Sequence, residues 1–200
     1  MKKRIILAST SPRRHELAKV MGLDFDIVPS DYEEDMTMKM PKHKLVMTLA
    51  QGKAADVAKK FNSGIVIGMD TVVVFKGKVL GKPKSKKEAF NMLKSYSGKS
   101  QKVYSGVCLI DCKKGKIITD YEITKVKFRK LADSEIKKYI EVGNPMDKSG
   151  SYGIQDLSSI FIKGIEGCHF NVMGFPIYNL YKNLKKLGVD VFQYERWKGK

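Results

Sequence analysis

Cysteine is scarce in this chain of 200 residues: Cys108, Cys112 and Cys168, an odd number without framework spacing. That excludes a disulfide scaffold and fits a reducing, cytoplasmic setting. Histidine is equally scarce. His15, His43 and His169 show no HExxH-type spacing, and Cys168-His169 has no partner pair, so nothing reads as a zinc site. No apolar run reaches transmembrane length. The opening MKKRIILAST has an apolar core of only Ile5 to Ala8, too short for the central region of a secretion signal. A GxSxG elbow and a P-loop are both missing, which removes two common routes to hydrolysis. Internal repeats, low-complexity stretches and linkers are missing too, so one domain over residues 1–200 is expected.

Acidic residues are also in deficit. Thirty-eight Lys and Arg face 21 Asp and Glu, for a net charge of +17. Such an excess attracts polyanions or small phosphorylated molecules. The basic residues come singly or in short groups such as Lys2-Lys3-Arg4 and Lys185-Lys186, not as a long nucleic-acid-binding arm. Most of them suit a solvated surface.

What is present is a strand–helix alternation with 42% apolar residues, enough for a sizeable core. Strands are expected at Lys3 to Ala8, Phe25 to Val28, Gly64 to Phe75, Val79-Leu80, and Ile160 to Ile165. A hairpin should join Val103–Ile110 to Ile117–Phe128 around Lys113-Lys114-Gly115. Ser11-Pro12 is a helix start, with Leu17, Val20 and Met21 facing inward and Gly22 as the stop. Further helices are expected from about Lys42 to Phe61, from the capping pattern Ser85-Lys86-Lys87-Glu88, from Asp133 to Gly143, and from Ile177 to Leu187. The pattern predicts an α/β protein with a mixed, twisted central sheet and flanking helices.

Three polar stretches fall where α/β proteins place ligands. LASTSPRR runs from a strand into a helix N-terminus, where free N–H groups favour an anion and Arg13 and Arg14 offer bidentate guanidinium contacts. An ordinary cap with solvated arginines would look the same. IGMDTVVVF buries Asp70 in an apolar strand, which demands a partner, and Lys82 follows after a turn. PMDKSGSYGIQD is a glycine-punctuated loop carrying Lys148 and Gln155.

Together these stretches resemble the Maf family of nucleotide pyrophosphatases, relatives of the septum-formation protein. The resemblance spans nearly the whole chain: LASTSPRRHEL, YEED, AQGKA, IGMDTVVV, LGKP, ML-x-x-x-SGK, YI-x-x-G-x-P-x-DKSGSYGIQ and GFP. Gln101 replaces a usual His, Ser149 a usual Ala, and GFP a usual GLP. The resemblance implies a Maf/ITPase-like fold and cleavage of nucleoside triphosphates between the α and β phosphates, with Mg²⁺ or Mn²⁺. It implies Asp70 as proton acceptor. Ser9, Arg13, Arg14, Lys53 and Lys82 would hold the triphosphate, and Glu34 with Asp70 the metal. Arg13, Thr71 and Gln155 match the branch acting on dTTP and UTP, whereas the m7GTP branch has Trp, Gln and Glu there. The Gln155 amide can accept the N3–H of uracil or thymine and donate to a neighbouring carbonyl. A house-cleaning role in nucleotide pools, a link to division arrest and a homodimer are implied by resemblance alone. Two alternatives stand beside this reading: the m7GTP branch, and a non-catalytic protein binding nucleic acid or a division partner.

Overall fold

The computed structural model describes residues 2–194. Its strands lie in one mixed sheet in the order Phe25–Val28, Ile5–Ala8, Ile65–Phe75, Ser100–Asp111, Lys116–Phe128 and Ile162–Glu166, with Lys78–Leu80 paired to Ile65–Phe75. The chain forms two compact units. The first comprises the residues up to Thr71, Ser105–Glu122 and those from Gly174 onward; the second comprises Val72–Tyr104 and Ile123–Met173. Among the described residues, no helix is long and apolar enough to cross a membrane.

In the first unit, β1 (Ile5–Ala8) pairs in parallel with β2 (Phe25–Val28) and with the start of β3 (Ile65–Phe75), Ile5 facing both Phe25 and Ile65. All four β1 residues are buried, as expected of a parallel strand covered on both faces. Helix α1 (Pro12–Val20) starts as its sequence dictates, with Ser11 Oγ accepting from the Arg14 amide and proline in the first turn. Leu17 and Ala18 face inward, but Val20 is 49% exposed, because the helix ends there and its last residue turns away from the core. Helix α2 (Lys42–Ala58) buries Leu45, Val46, Leu49, Ala50, Ala54 and Val57. It stops short of the expected Phe61 because Lys60 and Phe61 turn back onto Val57 and Ala58. A Cβ on Gly68 would stand 2.1 Å from the Ala50 carbonyl, so only glycine lets α2 lie directly on β3. Helix α6 (Ile177–Lys186) closes this unit and ends at Gly188 (φ 74°).

In the second unit, β3 turns at Lys76-Gly77, both left-handed, into β4 (Lys78–Leu80), which pairs antiparallel with Val73 opposite Leu80. Ser85 caps α3 (Lys86–Tyr96) through the Glu88 amide, while the Glu88 carboxylate takes the Lys84 N–H. Helix α4 (Asp133–Val142) supplies Ile136, Tyr139 and Ile140 to a core shared with Ala89, Leu93, Val126 and Phe128. Strands β5 (Ser100–Asp111) and β6 (Lys116–Phe128) form the expected hairpin and contribute to both units. The last strand, β7 (Ile162–Glu166), pairs antiparallel with β6. It begins two residues later than expected: Leu157–Phe161 is a 3₁₀ segment capped by Asp156. A short helix, α5 (His169–Val172), also escaped the sequence patterns, because four residues carry too little periodicity.

Candidate active site

Asp70 lies on β3, 5% exposed, and its partner is Lys53. The Lys53 ammonium donates to Asp70 Oδ1 at 2.7 Å and also meets Glu34 Oε1 at 2.5 Å. Helix α2 makes this possible through two adjacent residues of AQGKA. Gly52 leaves room for the Tyr32 ring, which a Cβ there would approach to 2.3 Å, and Lys53 points at the carboxylates. Asp56, one turn on, fixes the loop that carries Glu34: it accepts from Ser30 Oγ at 3.0 Å and from the Asp31 amide at 2.8 Å. Those bonds, from the Asp31 amide and then Ser30, hold its carboxyl below the usual range. Asp56 was not among the sequence candidates. Its i, i+3 spacing from Lys53 puts both on one helix face, a signal available in the sequence.

A cavity of about 250 Å³ adjoins these groups, lined by Ser9, Thr10, Ser11, Arg14, Glu34 and Lys53 among others. Ser9 is buried there, its hydroxyl accepting from the Ser11 amide at 3.1 Å. His15 Nε2 donates to the Ser9 carbonyl at 2.9 Å, which pins the strand-to-helix turn. Arg13 is exposed on the first turn of α1.

Arg14 is engaged more deeply in the protein than the sequence suggested. Nη1 donates to the Met69 carbonyl at 2.9 Å, Nε to the Gly174 carbonyl at 3.0 Å, and Nη2 to Thr71 Oγ1 at 3.2 Å. Burial lowers the pKa of its guanidinium, against the charges of Asp70 and Glu34, which raise it. A guanidinium nevertheless stays protonated. Arg14 therefore fastens the peptide just before Asp70, and two of its five N–H groups remain for a ligand.

The second unit carries the other two candidates. Lys82 is exposed beyond β4, and Gln155 is exposed on its loop. Gly150 donates its N–H to the Gly81 carbonyl at 2.9 Å, tying the two segments together. The Gln155 loop is stiff. Lys148 bonds the Asn144 carbonyl and Asp147 Oδ1, both at 2.8 Å, and Asp156 Oδ2 at 3.1 Å. Ser158 Oγ, also buried, takes the Gly153 N–H at 2.9 Å. Gln155 thus projects from a loop braced by its own hydrogen bonds.

A family model described as Maf-like protein matches residues 4–187. This chain belongs to the Maf family. It is 50% identical over 193 residues to a dTTP/UTP pyrophosphatase of Clostridium botulinum, covering 94% of this chain and all of that one. A protein of the same name from Clostridium tetani is 49% identical over 189 residues, covering 93% and 98% of the two chains. One from Caldicellulosiruptor saccharolyticus is 42% identical over 197 residues, covering 96% and 99%. Among solved structures, the Ham1 protein of Staphylococcus aureus superposes with a TM-score of 0.52 at 14% identity, over 92% of this chain and 100% of that one. That likeness is one of fold, and it agrees with the mixed sheet and flanking helices described above.

Proposed function

We propose that this Maf protein hydrolyses dTTP and UTP to the nucleoside monophosphate and pyrophosphate, clearing nucleotide pools. The observation that carries the reading is the buried carboxylate of Asp70 held by Lys53, whose ammonium also lines the polar cavity. The near-50% identity to proteins named for this activity supports the same substrates.

In this mechanism water attacks the α phosphorus, its proton passes to an Asp70 oxygen, and the bond from the α phosphorus to the bridging oxygen breaks, so that pyrophosphate leaves. Position within hydrogen-bond reach of the attacking water is the main requirement of such a base. Ser9, Arg13, Lys53 and Lys82 hold phosphate oxygens and offset the charge of the leaving group, with Arg14 adding charge from its fixed seat. Thr71 and Gln155 read the base.

A divalent cation suits the donor set. Glu34 and Asp70 converge on one ammonium position, and both offer hard oxygen ligands. Among the described residues no group of three or more His, Cys, Asp and Glu could hold a metal alone. Mg²⁺ or Mn²⁺ would therefore rely on Glu34, Asp70 and substrate oxygens, a pattern common for Mg²⁺ at phosphate sites. When bound, the ion polarises phosphate oxygens and neutralises developing charge.

The test is a panel of nucleoside triphosphates with Mg²⁺ or Mn²⁺, assayed separately for pyrophosphate and orthophosphate. Release of pyrophosphate from dTTP and UTP is expected. Orthophosphate as the first product, or no turnover of either substrate, would refute the proposal.

A further inference from the structure

Thr71 Oγ1 sits between two polar groups of its own unit. Arg14 Nη2 donates to it at 3.2 Å, and Ser105 Oγ lies 2.8 Å away. Ser105 is on β5 with no exposed surface.

The protons on this cluster can be counted. A guanidinium only donates, so Thr71 must accept from Arg14. The bond between the two hydroxyls can then run either way. If Thr71 donated, the Ser105 proton would be left in the interior with no acceptor, since Ser105 Oγ has no side-chain or backbone acceptor besides Thr71 among the described residues. Buried orphan donors are rarer than under-used acceptors, because a hydroxyl oxygen with a spare lone pair loses less than an O–H with nothing to bond. If Ser105 donates, both bonds are satisfied, and Thr71 has accepted twice. What Thr71 still has to offer is its own proton.

The arrangement is held from outside as well. Arg14 cannot easily swing away, because Nε and Nη1 are bound to the carbonyls of Gly174 and Met69. Gly174 is in the left-handed region (φ 87°), and a Cβ there would crowd Thr71 Oγ1 at 3.3 Å. The acceptor side of Thr71 is thus occupied by rigid groups.

We infer that Ser105, together with Arg14, sets Thr71 as a hydrogen-bond donor and so acts as a specificity-positioning residue for a base bearing a carbonyl oxygen. The inference rests on the reading that Thr71 faces the pyrimidine. The 4-carbonyl of uracil or thymine accepts such a proton. Cytosine carries an amine at the same place, and two donors would face one another. Without Ser105, Thr71 would regain a lone pair and could turn either way. Discrimination between the two bases would weaken.

The experiment compares kcat/KM for UTP and CTP in the full-length protein with Mg²⁺, for wild type, Ser105→Ala and Ser105→Thr. The UTP to CTP ratio should fall about 10-fold in Ser105→Ala, a change worth about 1.4 kcal/mol. It should be kept in Ser105→Thr, which restores a hydroxyl. A merely structural role would lower both substrates alike and leave the ratio where it was. Should the alanine variant fail to fold, Ser105→Cys, close in shape but a weaker donor, provides the same comparison. A wild type that discriminates, with a ratio that survives Ser105→Ala or Ser105→Cys, overturns the role of Ser105 alone. A wild type that hydrolyses UTP and CTP equally overturns the donor role of Thr71 itself, whereas a wild type that hydrolyses neither sinks the proposed function on which it rests.

Discussion

One ammonium serves two carboxylates: Lys53 Nζ donates to Asp70 Oδ1 at 2.7 Å while meeting Glu34 Oε1 at 2.5 Å. Both members of the Lys53–Asp70 pair are largely buried, and removing Lys53 leaves Asp70 desolvated without its ion-pair partner, whereas Lys53 without Asp70 still has Glu34. Lys53→Met should destabilise the protein by about 3 kcal/mol. Adding Asp70→Asn to that variant should recover most of the loss, because the stranded charge is gone. Urea unfolding of the two single variants and the double variant measures this. Strictly additive losses would show that the pair does not couple.

Catalysis should separate from stability at Asp70. Asn keeps the size of the side chain and loses its basicity, so turnover of UTP by Asp70→Asn should fall by roughly 10²- to 10⁴-fold. Circular dichroism should show the fold retained. A folded Asn variant with near-normal turnover would remove Asp70 from the role of base.

For the exposed cations the expectation concerns the phosphate chain. Arg13→Ala and Lys82→Ala should each lower kcat/KM, and Arg13→Lys should not fully restore it, since a lysine cannot form the two-pronged contact. Unchanged kinetics in all of these variants would move the phosphate site elsewhere.

Gln155→Glu sets an acceptor against a base carbonyl. Loss of one matched polar contact costs about 1–3 kcal/mol, so kcat/KM on dTTP and UTP should fall by about 10- to 100-fold. The UTP to GTP ratio is the quantity to compare. If it does not move, Gln155 does not touch the base.

Much of this architecture is legible in the chain because local and global signals agree. Phe25–Val28 is a strand as expected, and Ser11-Pro12, Ser85 and Gly188 mark helix ends where capping chemistry requires them. The readings that missed share a cause. Val20 follows the apolar pattern of α1, yet its direction depends on where the helix stops, which only the packing decides. Ile160 has the side chain of a strand residue, but Asp156 captures the Ser158 amide and winds Leu157–Phe161 into a 3₁₀ turn. Within the site, the need of Asp70 for a partner follows from desolvation. That the partner is Lys53, seventeen residues away, depends on α2 lying on Gly68, a contact no local pattern encodes. Ser105 was invisible for the same reason: a serine in a strand carries no mark of the hydroxyl it will meet.

A pH effect on stability should appear at the end of the second unit. Bonds from Arg129, then from the Ala132 amide, pull the Glu135 carboxyl from its ordinary 4.5 down to about 2. A depressed folded-state value means that the ionised form stabilises the fold above the unfolded pKa, and that this contribution is lost as pH falls through the folded one. Glu135→Gln should therefore be less stable than wild type at pH 7, with the gap closing between about pH 4.5 and about pH 2. Denaturant unfolding at several pH values checks this. A gap that stays constant over that range would show that the ion pair contributes nothing.

The hydrogen bond from Gly150 to the Gly81 carbonyl joins LGKP to the loop of Gln155 by backbone alone, whatever the side chains are. Substitutions can accumulate on both segments without disturbing the bond, but a change of length cannot. One residue gained or lost between Gly81 and Lys82, or between Gly150 and Gln155, would shift Lys82 or Gln155 along the chain while the splice stayed in place. In a chimera between two relatives, the two segments thus have to travel as a matched pair, each with the length that the other was fitted to.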